Sequence, residues 1–274
     1  MLGPSAAPAA PAAAPEEEVS DHDNLQSPAK RQRTIHTTSE RTKHHHGTDG
    51  EVEAFMTRRG RADLSGCIRV ACMQGNLGMC KRLLDRGSLQ DLGKGGDKDN
   101  TLMHSTCCCG HVDVCQWLWD HGAAEDVTRQ NDDGDTPMHY ACQSGHVDVC
   151  QWLWDHGATA ADVTRPNDNG QTPVHLAYGG GHVDVCQWLR DHGATAEDLT
   201  KPNDRLSTPL HLACYGGHVA VCQWLCALGA GAEEDVSTVN HDGDTPMHYA
   251  CLGGHVDACQ WLLGRGATAE DVKR

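Results

Sequence analysis

Aromatic residues are scarce in this chain, and large apolar residues are not abundant. Only 4% of the 274 residues are aromatic, with a single phenylalanine, and 38% are hydrophobic. A domain with one compact core would be expected to contain more large apolar side chains. A stack of small units needs fewer, because each unit buries only the faces that it shares with its neighbours. The composition therefore favours a repetitive architecture.

Basic residues are also under-represented. The chain holds 22 lysines and arginines against 38 aspartates and glutamates, a formal net charge of −16. Residues 1–60 contain 7 basic and 9 acidic residues, a balance of −2, so −14 remains for the rest. Because phosphate binding needs clustered lysine and arginine, we expect no nucleic acid and no anionic membrane as partners. Basic proteins or peptides are favoured instead.

Signals for membrane insertion or secretion are missing. No stretch approaches the ~18 apolar residues of a membrane span, and residues 1–18 lack both the basic region and the unbroken apolar segment of a secretory leader. The fifteen cysteines therefore indicate a reduced, intracellular chain whose thiols are mainly packing atoms. We predict a cytoplasmic location. The segment Lys30–Arg33 matches a short nuclear-import pattern, with a solvated basic patch as the alternative.

One segment recurs along the chain. HVDVCQWLWDHGA at 146–158 has near-copies that start at His111, His182, His218 and His255. Each copy follows a T-P-x-H-like tetrapeptide. The tetrapeptides begin at Thr101, Thr136, Thr172, Thr208 and Thr245, in steps of 35, 36, 36 and 37 residues. Such a period predicts a stack of equivalent supersecondary units.

Each unit is predicted to hold two helices and a loop. In the third unit Thr136 is a good N-cap, Pro137 suits the first helical position and Gly145 ends the helix. A second helix is expected over about 147–156, followed by a polar segment at 158–171 that contains an Asn-Gly turn signal. On that second helix the residues predicted to share the buried arc are Val149, Cys150, Leu153 and Trp154, with Trp152 at the margin.

The extended tetrapeptides identify a family. TPMHYA occurs at 136–141 and 245–250, TPVHLA at 172–177 and TPLHLA at 208–213, each followed in register by Gly-His and Gly-Ala. Together these motifs resemble the ankyrin repeat. The resemblance covers about 61–274 and implies an all-α solenoid of helix-turn-helix units joined by hairpin loops. It also implies protein–protein interaction rather than catalysis.

The resemblance sets the predicted domain boundaries. Residues 1–49 are expected to be a disordered, low-complexity tail, and residues 50–274 an ankyrin repeat domain. The repeats are placed at about 61–99 (a degenerate cap), 100–134, 135–170, 171–206, 207–243 and 244–274.

The chain departs from the family pattern at several places. The period is mostly 36 rather than 33 residues, and we expect the surplus in longer inter-repeat loops. Leu206 replaces a turn glycine, which predicts a distorted hairpin tip because leucine tolerates positive φ poorly. Arg190 replaces an apolar residue and predicts looser packing of the fourth repeat. No polar closing repeat follows Trp261–Leu263, so that end either frays or is covered by a partner or a second copy.

Several residues invite a chemical interpretation. Equivalent atoms of adjacent repeats lie ~10 Å apart, so the histidines of T-P-x-H cannot share a metal held at ~2 Å; the resemblance implies that they hydrogen-bond locally and join neighbouring repeats. Consecutive helical residues point ~100° apart, so Cys107–Cys109 do not converge on an ion. A reactive thiol at Cys108 or Cys109 remains an alternative.

The repeated tryptophans (Trp117, Trp152, Trp188, Trp224 and Trp261) indicate packing between second helices, with a convex contact strip as the alternative. We expect no metal, no cofactor and no enzyme activity.

The binding surface is predicted from positions that vary among repeats. In ankyrin proteins the loops before T-P-x-H and the ends of the first helices line the concave face. The candidates here are Asp132, Asp133, Asp135, Asp168, Gln171, Asp204, Asp242 and Asp244 in the loops, and Gln143, Tyr178, Tyr215 and Leu252 on the helices. We predict an acidic groove that holds a basic or amphipathic segment of a partner protein. A solvated surface that only maintains solubility is the alternative. A second hypothesis is a targeting subunit whose tail, residues 1–60, engages a ligase or a kinase.

Overall fold

The computed structural model describes residues 64–85, 96–229 and 235–268, together with Asp271. All regular structure in these ranges is helical, which confirms the predicted fold class. The tail predicted at 1–49, with its Lys30–Arg33 motif, lies outside the described residues.

Six consecutive pairs of helices, one pair per repeat, form the framework of the described residues. We number them α1 to α12, so that odd numbers are first helices and even numbers are second helices. Their bounds are α1 Leu64–Met73, α2 Leu77–Leu84, α3 Leu102–Cys109, α4 Val112–Asp120, α5 Pro137–Ser144, α6 Val147–Asp155, α7 Pro173–Gly180, α8 Val183–Asp191, α9 Pro209–Gly216, α10 Val219–Ala227, α11 Pro246–Gly253 and α12 Val256–Leu263. Short helical turns lie between the pairs, at Asp97–Asp99, Ala124–Val127, Ala160–Val163, Ala196–Thr200 and Asp235–Ser237.

The T-P-x-H motif starts the first helix of each of repeats 3 to 6, and α5 shows how. Thr136 is the N-cap, Pro137 occupies the first helical position, and the Nδ1 atom of His139 accepts a hydrogen bond from the Thr136 backbone N–H at 3.1 Å. Gly145 ends the helix with φ of 81°, a left-handed conformation that glycine adopts without steric cost. These local rules explain why the sequence predicted the bounds of α5 correctly.

Two kinds of histidine connect adjacent repeats. The Nε2 atom of His139 donates to the carbonyl oxygen of Gln171 in the next repeat at 3.2 Å, which confirms the linking role implied by the family resemblance. The histidine of the Gly-His dipeptide contacts the preceding repeat. The ring of His182 lies against Gly145, in the space that a Cβ on that glycine would fill. In the same direction, the Nε2 atom of His218 donates to the carbonyl oxygen of Gly179 at 3.0 Å.

The tryptophans of the second helices correct one prediction. Trp152 is only 7% exposed, and its Nε1 atom donates to Oε1 of Gln116 in the preceding repeat at 3.0 Å. Trp154, assigned to the buried arc, is instead half-buried and packs edge-on against Trp188. The error arose because a second helix contacts a second helix on each side, so more than one face is covered. Packing between second helices is therefore confirmed for Trp152.

The extra residues of the long period lie between the helix pairs. In the third repeat they form the helical turn Ala160–Val163, capped by Thr159, whose backbone N–H and hydroxyl both donate to Oδ2 of Asp162 at 2.8 Å. Val163, the last residue of this turn, is completely buried. The inter-repeat segment is longer, as expected, and it contains a short helix that the Thr-x-x-Asp capping signal marks.

The hairpin tip at Leu206 is not distorted. Leu206 adopts φ of 58°, and its N–H donates to the carbonyl oxygen of Asn203 at 2.8 Å, as Gly170 does to Asn167 at 2.9 Å. The predicted distortion is wrong, because the leucine accepts the left-handed conformation and its strain of ~1–2 kcal/mol.

Arg190 is exposed and Leu189 beside it is completely buried. Trp224 of the next repeat is half-buried, whereas Trp152 and Trp188 are buried, so the looser packing expected from Arg190 stays a prediction.

The hydrogen bond that joins Trp152 to Gln116 and Trp188 to Gln151 has no counterpart at Trp117, and this difference leads to a stability prediction. Trp117 is 4% exposed, and its Nε1 atom has no hydrogen-bond partner. Lys81 occupies the position that Gln116 holds for Trp152, and an ammonium group cannot accept a hydrogen bond. Lys81→Gln should therefore stabilise the chain by about 1 kcal/mol, measured by urea denaturation. Lys81→Met, which has no comparable acceptor, is the control and should give no such gain; equal gains for both variants would contradict the explanation.

Candidate protein-binding surface

A buried asparagine shapes each of the last four hairpin tips that the structure describes. The Oδ1 atom of Asn131 accepts hydrogen bonds from the backbone N–H groups of Asp133 at 3.0 Å and Asp135 at 2.8 Å. The same pair of bonds recurs around Asn167, Asn203 and Asn240, and all four asparagines are at most 8% exposed. A side chain that satisfies two backbone donors fixes the tip in one conformation.

Successive tips are hydrogen-bonded to one another. The Asp132 N–H donates to the carbonyl oxygen of Lys98 at 2.9 Å, and the Asp168 N–H to that of Asp133 at 3.0 Å. The series continues from Asp204 to Asn169 at 3.4 Å and from His241 to Arg205 at 2.8 Å. The register of the tips is therefore set by the backbone and does not depend on their exposed side chains.

Four exposed aspartates occupy the same place at successive tips. We call them the acidic row; its members are Asp97, Asp132, Asp168 and Asp204. The equivalent position of the last described tip is His241, and exposed Asp242 follows it. Sequence reasoning missed Asp97, although counting back four residues from Thr101, as from Thr136 to Asp132, would have found it.

The other predicted loop residues are partly engaged within the fold. Asp133 forms an ion pair with Lys98 at 2.8 Å, and Oδ1 of Asp135 accepts from Nδ2 of Asn167 at 2.7 Å. The carbonyl oxygens of Gln171 and Asp244 accept from histidines of the preceding repeats at 3.2 and 3.0 Å. These residues are intermediate in exposure, so they contribute less free surface than the acidic row.

The predicted residues on the first helices are exposed to different degrees. Gln143 and Tyr215 are half-buried, and Leu252 is 77% exposed. All three follow the threonine of T-P-x-H by seven positions. The rings of Tyr215 and Tyr249 pack in an edge-to-face arrangement, with ring centroids 5.8 Å apart, so part of the Tyr215 ring is already in contact within the fold.

Tyr178 is not a surface residue. It is completely buried, and its hydroxyl donates to the carbonyl oxygen of Leu199 at 2.8 Å. It follows Thr172 by six positions rather than seven, which is the buried position of Cys142 and Cys214. The prediction that Tyr178 contacts a partner is therefore wrong. The alignment of repeats carried the signal, since a tyrosine replaces a core cysteine.

Burial controls the titration of the linking histidines. Desolvation lowers the pKa of His104 and of His139 from 6.5 to about 4, against the opposing effect of their backbone carbonyl partners. Desolvation also lowers the pKa of His175 and of His211. These rings are therefore neutral structural groups at physiological pH.

The described residues contain no group of three or more histidine, cysteine or acidic side chains placed to hold a metal ion. Over the same ranges, no helix combines the length and the apolar character that crossing a bilayer would require. The carboxylates of the acidic row offer charge attraction and hydrogen bonding at fixed, repeated positions.

Comparison with known proteins agrees with this architecture. The family model for ankyrin repeats (3 copies) matches residues 68–167, 122–200, 159–238 and 195–273, which together cover most of the chain. The protein belongs to the ankyrin repeat family. Ankyrin repeats are general protein–protein interaction modules, and the fold is typically a non-catalytic scaffold.

A solved structure shows the same fold. The crystal structure of the human ASB11 ankyrin repeat domain is 27% identical to this chain, with a TM-score of 0.54, and the match covers 73% of this chain and 84% of that one. A search of curated proteins found no match.

Proposed function

We propose that the acidic row binds an extended basic segment of a partner protein. The observation that carries the proposal is the repetition of one exposed aspartate at four tips whose backbones are hydrogen-bonded in register. A row of like charges held at fixed spacing favours a chain that presents lysine or arginine at a matching interval. We include the half-buried side chains of Gln143 and Tyr215, on the first helices, in the proposed surface.

The spacing of the row defines the expected ligand. Adjacent repeats are about 10 Å apart, the diameter of a helix. A peptide in the polyproline II conformation advances ~3.1 Å per residue and, with three residues per turn, places every third side chain on the same side. A lysine at every third position therefore meets one aspartate per repeat. The four aspartates span about 30 Å, which corresponds to a peptide of about ten residues.

The test measures binding of a fluorescent peptide with lysine at every third position among glycine and serine. We expect replacement of all four row aspartates by asparagine to weaken the Kd about tenfold, because four exposed ion pairs at ~0.3–0.5 kcal/mol each sum to a little over 1.4 kcal/mol. The wild-type affinity should also fall as salt rises. A peptide of the same composition with its lysines clustered should bind more weakly.

A matched variant separates the row from net charge. Asp120, Asp155, Asp191 and Glu197 are exposed acids outside the row, and changing them to asparagine or glutamine removes the same formal charge. This control should change affinity by less than about twofold. Equal losses in both variants would reduce the effect to bulk charge and contradict a specific row.

Two further proposals concern partners. In the first, the chain is an adaptor whose tail recruits a ligase or a kinase. Deleting residues 1–49 distinguishes this proposal from binding by the acidic row, because binding of the lysine peptide survives the deletion if the repeats alone bind it.

In the second, the chain self-associates through repeat 6, where Val256 and Leu263 are 65% and 55% exposed. Concentration-dependent sedimentation tests the second.

A further inference from the structure

Five repeats contain a cysteine pair that joins the two helices of the repeat. The sulfur atoms are 3.7 to 3.9 Å apart in every pair. The pairs are Cys72–Cys80, Cys107–Cys115, Cys142–Cys150, Cys214–Cys222 and Cys251–Cys259. In each case one cysteine lies on the first helix and the other, eight residues later, lies on the second. The fourth repeat lacks the pair, because Tyr178 replaces its first member.

The last pair differs from the other four in exposure. Both cysteines of the pairs in repeats 1, 2, 3 and 5 are completely buried. In repeat 6, Cys251 is exposed and Cys259 is half-buried, with the sulfur atoms 3.8 Å apart. Accessibility and proximity of two thiols are the requirements for thiol–disulfide exchange, and only this one of the five pairs combines them.

We propose that Cys251 and Cys259 form a dithiol modification site, which a small-molecule disulfide converts to a disulfide between α11 and α12. The four buried pairs are chemically equivalent but are shielded by the fold, and they serve as packing groups. The site is independent of the acidic row, since neither cysteine belongs to it.

The reaction balances as two exchange steps. The Cys251 thiolate attacks one sulfur of the disulfide reagent, forms a mixed disulfide and releases one thiolate. The Cys259 thiolate then attacks the Cys251 sulfur, forms the internal disulfide and releases the second thiolate. The two cysteines lose two protons and two electrons, and the reagent is reduced to two thiols. Burial and the neighbouring Cys251 sulfur raise the pKa of Cys259, which lowers its thiolate fraction. We therefore assign Cys259 to the second, intramolecular step, in which its sulfur already lies 3.8 Å from that of Cys251.

Oxidised glutathione is the probe for this site. The full-length reduced protein is incubated with it, the remaining thiols are alkylated, and the peptides are mapped by mass spectrometry. We expect Cys251 and Cys259 to be lost together as an internal disulfide, at least tenfold faster than Cys214 and Cys222. Cys259→Ser should stop the reaction at a mixed disulfide on Cys251. In denaturant the two pairs should react at similar rates, which attributes the selectivity to the fold.

Three results would overturn the proposal. Oxidation of repeats 5 and 6 at equal rates in the native protein would show that exposure does not select the pair. A lasting glutathione adduct on wild-type Cys251 would show that Cys259 cannot reach it. Preferential reaction of the half-buried Cys108 and Cys109 with Cys251 left free would place the reactive thiols in repeat 2 instead.

Discussion

Acidification from about pH 7 to about pH 4.5 should remove about 5 kcal/mol of stability through two histidines alone. His104 and His139 are completely buried, and desolvation lowers the pKa of each from 6.5 to about 4. Between these values the unfolded chain binds protons that the folded chain does not, so stability falls as the pH falls. The contribution is complete above pH 6.5 and is lost towards pH 4, at about 2.5 kcal/mol per histidine over this range.

Burial explains why the pKa of these rings is low, and the hydrogen bonds indicate which neutral form of the ring is present. The Nδ1 atom of His139 accepts from the Thr136 N–H at 3.1 Å, and its Nε2 atom lies 3.2 Å from the carbonyl oxygen of Gln171, to which it donates. A protonated Nδ1 could no longer accept the hydrogen bond from the Thr136 N–H. The neutral Nε2–H form therefore fits both partners, and the charged form loses one of them.

The urea midpoint measured against pH tests this prediction. His139→Gln should lower stability at neutral pH, because the T-P-x-H contacts change, but it should reduce the pH dependence by about half of that attributed to the two histidines. A wild-type midpoint that is flat from pH 7 to 4.5, or an unchanged slope in His139→Gln, would contradict the assignment.

Gly145→Ala should cost about 3 kcal/mol, through two separable effects. Gly145 has φ of 81°, where an alanine is strained by ~1–2 kcal/mol. The new Cβ would also overlap the ring of His182 from the next repeat, and such overpacking adds about 1–3 kcal/mol. The cost therefore reports the contact between repeats as well as the local backbone.

Gly254→Ala is the matched control within the same chain. Gly254 ends α11 in the same way, with φ of 73°, but no atom lies within 4 Å of the place of a new Cβ. This variant should lose only about 1 kcal/mol from backbone strain, and the shift in the urea midpoint should differ accordingly. Equal shifts at the two positions would show that the His182 contact contributes nothing.

The sequence predicted the elements whose rules are local. Thr136, Pro137 and Gly145 define α5 through capping preferences that act within a few residues, so its bounds agree with the structure. The link from His139 to Gln171 followed from the family resemblance. Leu206 shows the limit of such rules: a local preference predicted distortion, but the hydrogen bonds of the tip hold the leucine at positive φ.

The errors arose where neighbouring repeats decide the environment. Trp154 was expected to be buried and Trp152 to lie at the margin, but Trp152 is the more buried of the two. Adjacent second helices cover the sides of α6, and the hydrophobic pattern of a single helix contains no information about those neighbours. Tyr178 was grouped with Tyr215 by residue type, although the two occupy different repeat positions. The ordered tips also depend on long-range bonds such as Asp168 to Asp133. No local sequence signal predicts those bonds.

Backbone amide NMR of the isotope-labelled protein, titrated with the spaced-lysine peptide, tests the central proposal most directly. We expect saturable shifts concentrated at the tips around Asp97, Asp132, Asp168 and Asp204, with much smaller shifts along the second helices. Shifts concentrated on α4, α6 and α8, or the absence of any saturable change, would contradict the acidic row as the binding surface.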